Sequence, residues 1–136
     1  MRAGRYGLSD KDIIIYAAIG FSVWLNGAVT FRFGGRTLFE SGPWVTALAA
    51  IFIAVAVCLI FRSTMRWRKT DETLAVPVAV VMGLPGLFGE GLRQLLFGWA
   101  TGLRIETAPV FAATLFFGNA CLLAFAMVKA RRAWRA

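Results

Sequence analysis

Residues Trp44 to Phe61 read WVTALAAIFIAVAVCLIF, without a single Asp, Glu, Lys or Arg. A helix needs roughly 20 predominantly apolar residues to cross the hydrocarbon core of a bilayer, so this stretch and its flanks decide the class of the protein. Three more runs are equally free of charge: Ile13 to Phe31, Leu74 to Gly89 and Ala108 to Val128. Lipid offers a peptide group no hydrogen bond, which requires each run to be helical. In a chain of 136 residues, four such helices leave little for a soluble domain. The expectation is an all-α integral membrane four-helix bundle, a single membrane domain over residues 1–136. Its helices are expected at about 10–31, 43–62, 73–99 and 108–130, counted at the spacing a spanning helix needs.

Charge then orients the bundle. The segments before the first run, between the second and third, and after the fourth hold Arg2, Arg5, Lys11, Arg62, Arg66, Arg68, Lys69, Lys129, Arg131, Arg132 and Arg135. The opposite side holds only Arg32, Arg36, Arg93 and Arg104. Basic residues accumulate on the cytoplasmic side of membrane proteins, so both termini are expected in the cytoplasm. The net charge of +8 does not indicate nucleic acid, because the basic residues flank apolar runs and form no face with interleaved exposed aromatics. Arg66-Trp67-Arg68-Lys69 and the segment from Ala130 to Arg135 read first as anchors on the bilayer and its anionic lipids, and second as surfaces for a soluble partner.

Ser9-Asp10-Lys11-Asp12 precedes the first run and no cleavage site follows it, which reads as a retained helix rather than a secretory signal. Cys58 and Cys121 lie inside apolar runs, where a thiol acts as a small hydrophobe. The chain has no histidine, so His-ligated haem, His-bound zinc and imidazole base catalysis are excluded, and no cofactor or metal is expected.

The helix ends carry their own signals. Phe31-Arg32-Phe33-Gly34-Gly35-Arg36 is read as ending the first helix at the glycine pair, with Arg32 snorkelling to the outer interface. Glu40-Ser41-Gly42-Pro43 starts the second, with Pro43 in its first turn. Glu106-Thr107-Ala108-Pro109 repeats that pattern before the fourth, a hint of two related hairpins. The match fails just upstream, where Asn26 and Arg32 would align with Leu92 and Gly98.

The third run is the unusual one. Pro77 and Pro85 are read as interrupting it, with a kink at Pro85 and Gly86, since proline removes an amide donor and crowds the preceding turn. Gln94 to Trp99 either extends this helix or lies along the interface. At helical spacing Gly83, Gly86, Glu90, Arg93 and Phe97 share one stripe, and Ser22, Asn26 and Thr30 form a polar stripe on the first helix. At 1.5 Å per residue from the cytoplasmic ends, Asn26 lies about 20 Å in and Glu90 about 24 Å in. These residues are therefore candidates for a shared pocket, with Arg93, Arg32 and Arg36 as counter-charges for Glu90; Asn119 sits near the middle of the fourth helix. A carboxylate at membrane depth marks an ion, proton or ligand site, or else a structural ion pair between helices, with small and polar residues as ordinary packing chemistry.

Leu84-Pro85-Gly86-Leu87-Phe88-Gly89-Glu90, followed by an aromatic-rich loop and the fourth helix, resembles a bacterial family of uncharacterised small four-helix membrane proteins, a domain of unknown function. The resemblance runs from Phe31 onward and singles out Pro85, Gly86, Glu90 and Arg32, with Glu standing where the family pattern has Asp. It implies a multi-pass protein of the bacterial inner membrane and no known activity. Small multidrug-resistance exporters also have four helices, but carry their essential Glu in the first helix, where this chain has none.

The reading that follows is a non-enzymatic accessory or scaffold protein associating with itself as a homo-oligomer or with a larger membrane complex. The alternative is a small transporter or ligand-binding sensor with an outward-facing polar pocket around Glu90, Arg93, Arg32 and Asn26. One carboxylate without histidine, metal or activated nucleophile supplies too few parts for an enzyme.

Overall fold

A computed structural model describes residues 7–135; Arg2 and Arg5, which enter the charge count, lie outside the described residues. Five α-helices follow in chain order: α1 (Asp10–Phe39), α2 (Pro43–Arg68), α3 (Ala75–Leu95), α4 (Phe97–Thr101) and α5 (Ala108–Ala133). Single 3₁₀ turns, Glu72–Leu74 and Ile105–Thr107, lead into α3 and α5. With these turns included, four of the helices are long and apolar enough to cross a membrane.

Each boundary has a local cause. Ser9 caps α1, its Oγ accepting from the Asp12 N–H at 3.2 Å and donating to Asp12 Oδ2 at 2.6 Å. Pro43 occupies the first turn of α2, where no helical partner for its missing N–H exists, and Gly42 before it has φ +124°, a conformation that favours glycine. Lys69 ends α2 in the left-handed region at φ 52°, and the Thr70 N–H reaches back to the Met65 carbonyl at 3.0 Å. Asp71 accepts from the Thr73 N–H at 2.8 Å at the entry to α3.

Three expectations need correction. The first helix does not end near residue 31 at the glycine pair but continues to Phe39. Helical glycine costs about 1 kcal/mol relative to alanine, and here tertiary contacts outweigh it. Gly35 packs against Leu103, leaving a methyl group only 3.3 Å from its Cδ2, and Phe39 is buried. The third helix does not run to residue 99; it ends at Leu95, and a separate short helix, α4, turns Phe97 inward while Trp99 stays outside. Pro77 interrupts nothing, because it falls in the first turn of α3 among amides that have no helical acceptor. Pro85 does lie inside α3, and the helix continues through it.

Packing runs from α1 to α3, from α3 to α5 and from α5 to α2, while α1 and α2 meet only sparsely. At Gly20 the backbones of α1 and α3 touch: an added methyl would lie 2.7 Å from the Met82 carbonyl carbon. The bundle has two apolar cores. One, around Tyr16, Phe61, Val78, Met82 and Leu122, occupies the end that carries Lys11, Arg68 and Arg131, the basic end. The other, at the end of the Glu40 and Arg104 loops, is aromatic: Phe111 packs edge-on against Phe39, Phe97 and Phe31 with ring centroids 5.0, 5.5 and 5.8 Å away. Large apolar side chains such as Leu48, Phe52, Phe116 and Met127 cover the outside.

Ion pairs fasten both ends. At the basic end Arg68 Nη2 meets Asp12 Oδ1 at 2.7 Å, Lys129 pairs with Glu72, and the Tyr16 and Thr70 hydroxyls are bonded. At the opposite end Glu40 Oε1 accepts from the Arg104 N–H at 2.9 Å and the Thr107 hydroxyl at 3.3 Å, so the two loops are clasped together.

Candidate binding cavity between the helices

Between the two apolar cores lies a cavity of about 380 Å³ walled by α1, α2, α3 and α5. Its polar lining comes from three helices: Trp24, Asn26 and Thr30 on α1, Glu90, Arg93 and Gln94 on α3, and Asn119 on α5. The spacing of Glu90, Arg93 and Gln94 over one helical turn lets three side chains converge without any long-range constraint. Glu90 Oε1 accepts from Arg93 Nε at 3.2 Å and from Gln94 Nε2 at 3.4 Å.

Arg93 is only 8% exposed. Its guanidinium carbon stands 4.7 Å from the centroid of Phe111 and 5.9 Å from that of Phe31, so the aromatic core forms its roof. A cation held over ring faces gains about 0.5–2 kcal/mol, which offsets part of the cost of removing it from water. That compensation is incomplete. Arg93 Nη2 is buried and has no hydrogen-bond partner among the described residues. Trp24 Nε1 is likewise buried, and it faces the Glu90 carboxylate without reaching hydrogen-bond geometry with any described residue.

Trp24 reaches this position because α3 has no side chains in its way. The indole lies on Gly86 and Gly89: a methyl at Gly86 would contact Trp24 Cβ at 3.5 Å, and one at Gly89 would lie 2.5 Å from the ring. Gly83 similarly leaves room for Asn119, whose Oδ1 would be 3.6 Å from an added methyl. Asn119 Nδ2 donates to the Leu115 carbonyl at 2.9 Å, which leaves its oxygen as an acceptor facing Gly83.

The structure thus brings Glu90, Arg93, Asn26 and Thr30 to one cavity, with Gly86 in its α3 wall beneath Trp24 and Pro85 beside it in α3 but not lining the cavity. It sends Arg32 and Arg36 elsewhere. Arg36 Nε donates to the Gly102 carbonyl at 3.2 Å, and the Arg32 guanidinium lies against Gly102, so both arginines belong to the loop clasp. The counter-charge of Glu90 is Arg93, its neighbour on the same helix. Sequence reasoning missed Trp24, whose partnership with Gly86 and Gly89 depends on the register between two helices. It also missed Gln94, which the four-residue spacing from Glu90 made visible.

An outward-facing pocket is also corrected. The rings of Phe31, Phe97 and Phe111 stand between the cavity and the Glu40 loop end, above Arg93. The cavity opens sideways instead. A groove along the sparse seam between α1 and α2, lined by Ser22, Val23, Asn26, Ile60 and Trp67 among others, shares Val23, Asn26 and Ile60 with the cavity wall.

Residues 38–133 match the model of a family of unknown function, DUF5367. No curated protein and no solved structure matches the chain.

Proposed function

The chain belongs to this family of unknown function, and from the cavity we propose that it is a non-enzymatic binding protein, a transporter or sensor, holding a small molecule inside the bundle. We place it as a multi-pass protein in a bacterial inner membrane with both termini in the cytoplasm, in contact with anionic lipids on that side. The helix lengths and apolar outer surface support insertion, and the distribution of basic residues supports the orientation.

One observation carries the binding reading: two buried N–H donors, on Arg93 and Trp24, stand without partners on the wall of one cavity. Burying an unsatisfied donor costs roughly 1–3 kcal/mol; Arg68 Nε, in the Asp12 pair, is a third such donor, and what sets Arg93 and Trp24 apart is that both line one cavity. The volume falls within the range of about 300–1,000 Å³ typical of small-molecule sites, and a mostly apolar wall with a few convergent polar groups is their usual composition.

Native mass spectrometry of the protein extracted in mild detergent tests this. The expected result is a small-molecule adduct on the wild type that is lost when Gly83→Leu fills the cavity, with the variant still folded. The accessory or scaffold reading predicts the reverse: no adduct on the wild type, and retention of a protein partner or second copy that Gly83→Leu does not disturb.

A further inference from the structure

The lateral opening and the charge balance of the cavity together specify the kind of molecule it takes. We infer that the ligand is a neutral amphiphile of the fatty amide type, which enters from the bilayer through the α1–α2 seam and places its carbonyl oxygen on Arg93 and Trp24. This rests on the binding reading above and goes further by naming the ligand class and its route.

Three features of the site converge on it. Glu90 and Arg93 form an ion pair at 3.2 Å, so the site is already balanced in charge. A carboxylate or ammonium head would add an uncompensated charge in a poorly solvated space, which is costly in a way a neutral head is not. The groups left unsatisfied are the N–H donors of Arg93 Nη2 and Trp24 Nε1, and a single carbonyl oxygen has two lone pairs to give them. Both hydrogen bonds to Glu90 end on Oε1, and although the Trp24 N–H also faces this carboxylate, its lone pairs leave room to accept from the amide N–H of the same head.

The route follows from what closes the other directions. Toward the loop end the Phe31, Phe97 and Phe111 cluster covers Arg93, and toward the basic end the core around Tyr16, Phe61 and Met82 is packed. Only the α1–α2 side is loosely joined. The two helices are held at the basic end by Asp12 and Arg68 and at the other by the Thr46 hydroxyl, which donates to the Leu38 carbonyl at 3.1 Å. Between these two ties the groove communicates with the cavity past Asn26, an exposed amide with no hydrogen-bond partner among the described residues. Asn26 lies inside the uncharged run of α1, five residues before Phe31, where an unpartnered amide has no structural benefit and a polar lip guiding a polar head does.

Equilibrium and kinetic binding of radiolabelled decanamide to the full-length protein in lipid nanodiscs, corrected with empty nanodiscs, tests the proposal. Saturable binding is expected, weakened about tenfold or more by Arg93→Met, the loss of one hydrogen bond to a charged donor. Decanoate at pH 8 is expected to bind at least about tenfold more weakly than decanamide, because its charge is not matched. Ala18→Trp and Ser22→Trp, which crowd the groove at positions outside the cavity wall, are expected to slow association and dissociation together and to leave the affinity within about twofold, less than half of one hydrogen bond. Circular dichroism and size-exclusion profiles of each variant report whether it is folded. No saturable decanamide binding, tighter binding of decanoate, or unchanged rates in both seam variants would each overturn the inference. A wild-type adduct in the mass spectrum with any of these results leaves the binding reading standing and removes only the ligand class or route; no adduct and no binding removes both.

Discussion

The pair of Glu90 and Arg93 allows a double-mutant cycle whose outcome depends on how dry the cavity is. Glu90→Gln keeps the shape of the side chain and a carbonyl that accepts from Arg93 Nε, but removes the charge that balances a guanidinium only 8% exposed. Removing one partner of a buried ion pair typically costs about 3–5 kcal/mol. Retention of a hydrogen bond and the two ring faces at 4.7 and 5.9 Å reduce this, and we expect about 2–3 kcal/mol. Arg93→Met leaves Glu90 unbalanced in turn and is expected to cost a similar 2–4 kcal/mol, roughly the lower part of the range for a broken pair. The double variant removes both charges and is expected to lie close to wild type, giving a coupling energy of about 4–7 kcal/mol, the sum of the two single costs, between neighbouring sites. Equilibrium unfolding in mixed bicelles by titration with denaturing detergent measures all four proteins. Additive single effects, or a Glu90→Gln cost below about 0.5 kcal/mol, the scale of a surface pair, would show a hydrated pair and refute the claim that this cavity is poorly solvated.

Other parts of the molecule give further expectations. Gly20→Leu drives a side chain into the Met82 backbone and is expected to destabilise the bundle by roughly 3 kcal/mol or prevent assembly, whereas Gly91→Ala, in open space on α3, is expected to stabilise by about 0.5–1 kcal/mol; the same unfolding titration checks both. Lys69→Gly relieves a non-glycine residue at φ 52° and is expected to stabilise by about 0.5–1 kcal/mol in that assay. The Arg104 N–H, first among its partners, holds the Glu40 carboxyl below its ordinary value of 4.5. The clasp is therefore complete above that ordinary value and is lost as pH falls through the lower folded one, so amide exchange at Leu103 and Arg104 should accelerate on acidification in wild type and lose this pH dependence in Glu40→Gln. A cysteine placed at Thr70, in a protein lacking Cys58 and Cys121, is expected to resist an impermeant maleimide in intact cells and to react after lysis, and labelling in intact cells would reverse the proposed orientation.

What the amino-acid order discloses here divides by the range of the force involved. The four long helices are legible because their cause is local: uncharged runs near spanning length, with Ser9, Pro43 and Pro109 marking starts. The pairing of Glu90 with Arg93 is legible for the same reason, being three residues apart on one helix. The length of α1 is not, since Gly34-Gly35 is a credible stop until Leu103 arrives from the far end of the chain to pack on it. Phe31, Phe39, Phe97 and Phe111 mislead more seriously. In sequence Phe97 shares the stripe of Glu90 and Arg93, but nothing local brings the other three rings to it, which leaves the pocket open to the outside. In the folded chain the four rings pack together, with Phe31 and Phe111 over Arg93, and close that direction. The same four residues thus convert an outward pocket into one whose opening is the loosely packed seam of α1 and α2. It is this change of access, invisible in any single helix, that makes a molecule dissolved in the bilayer rather than in water the natural occupant.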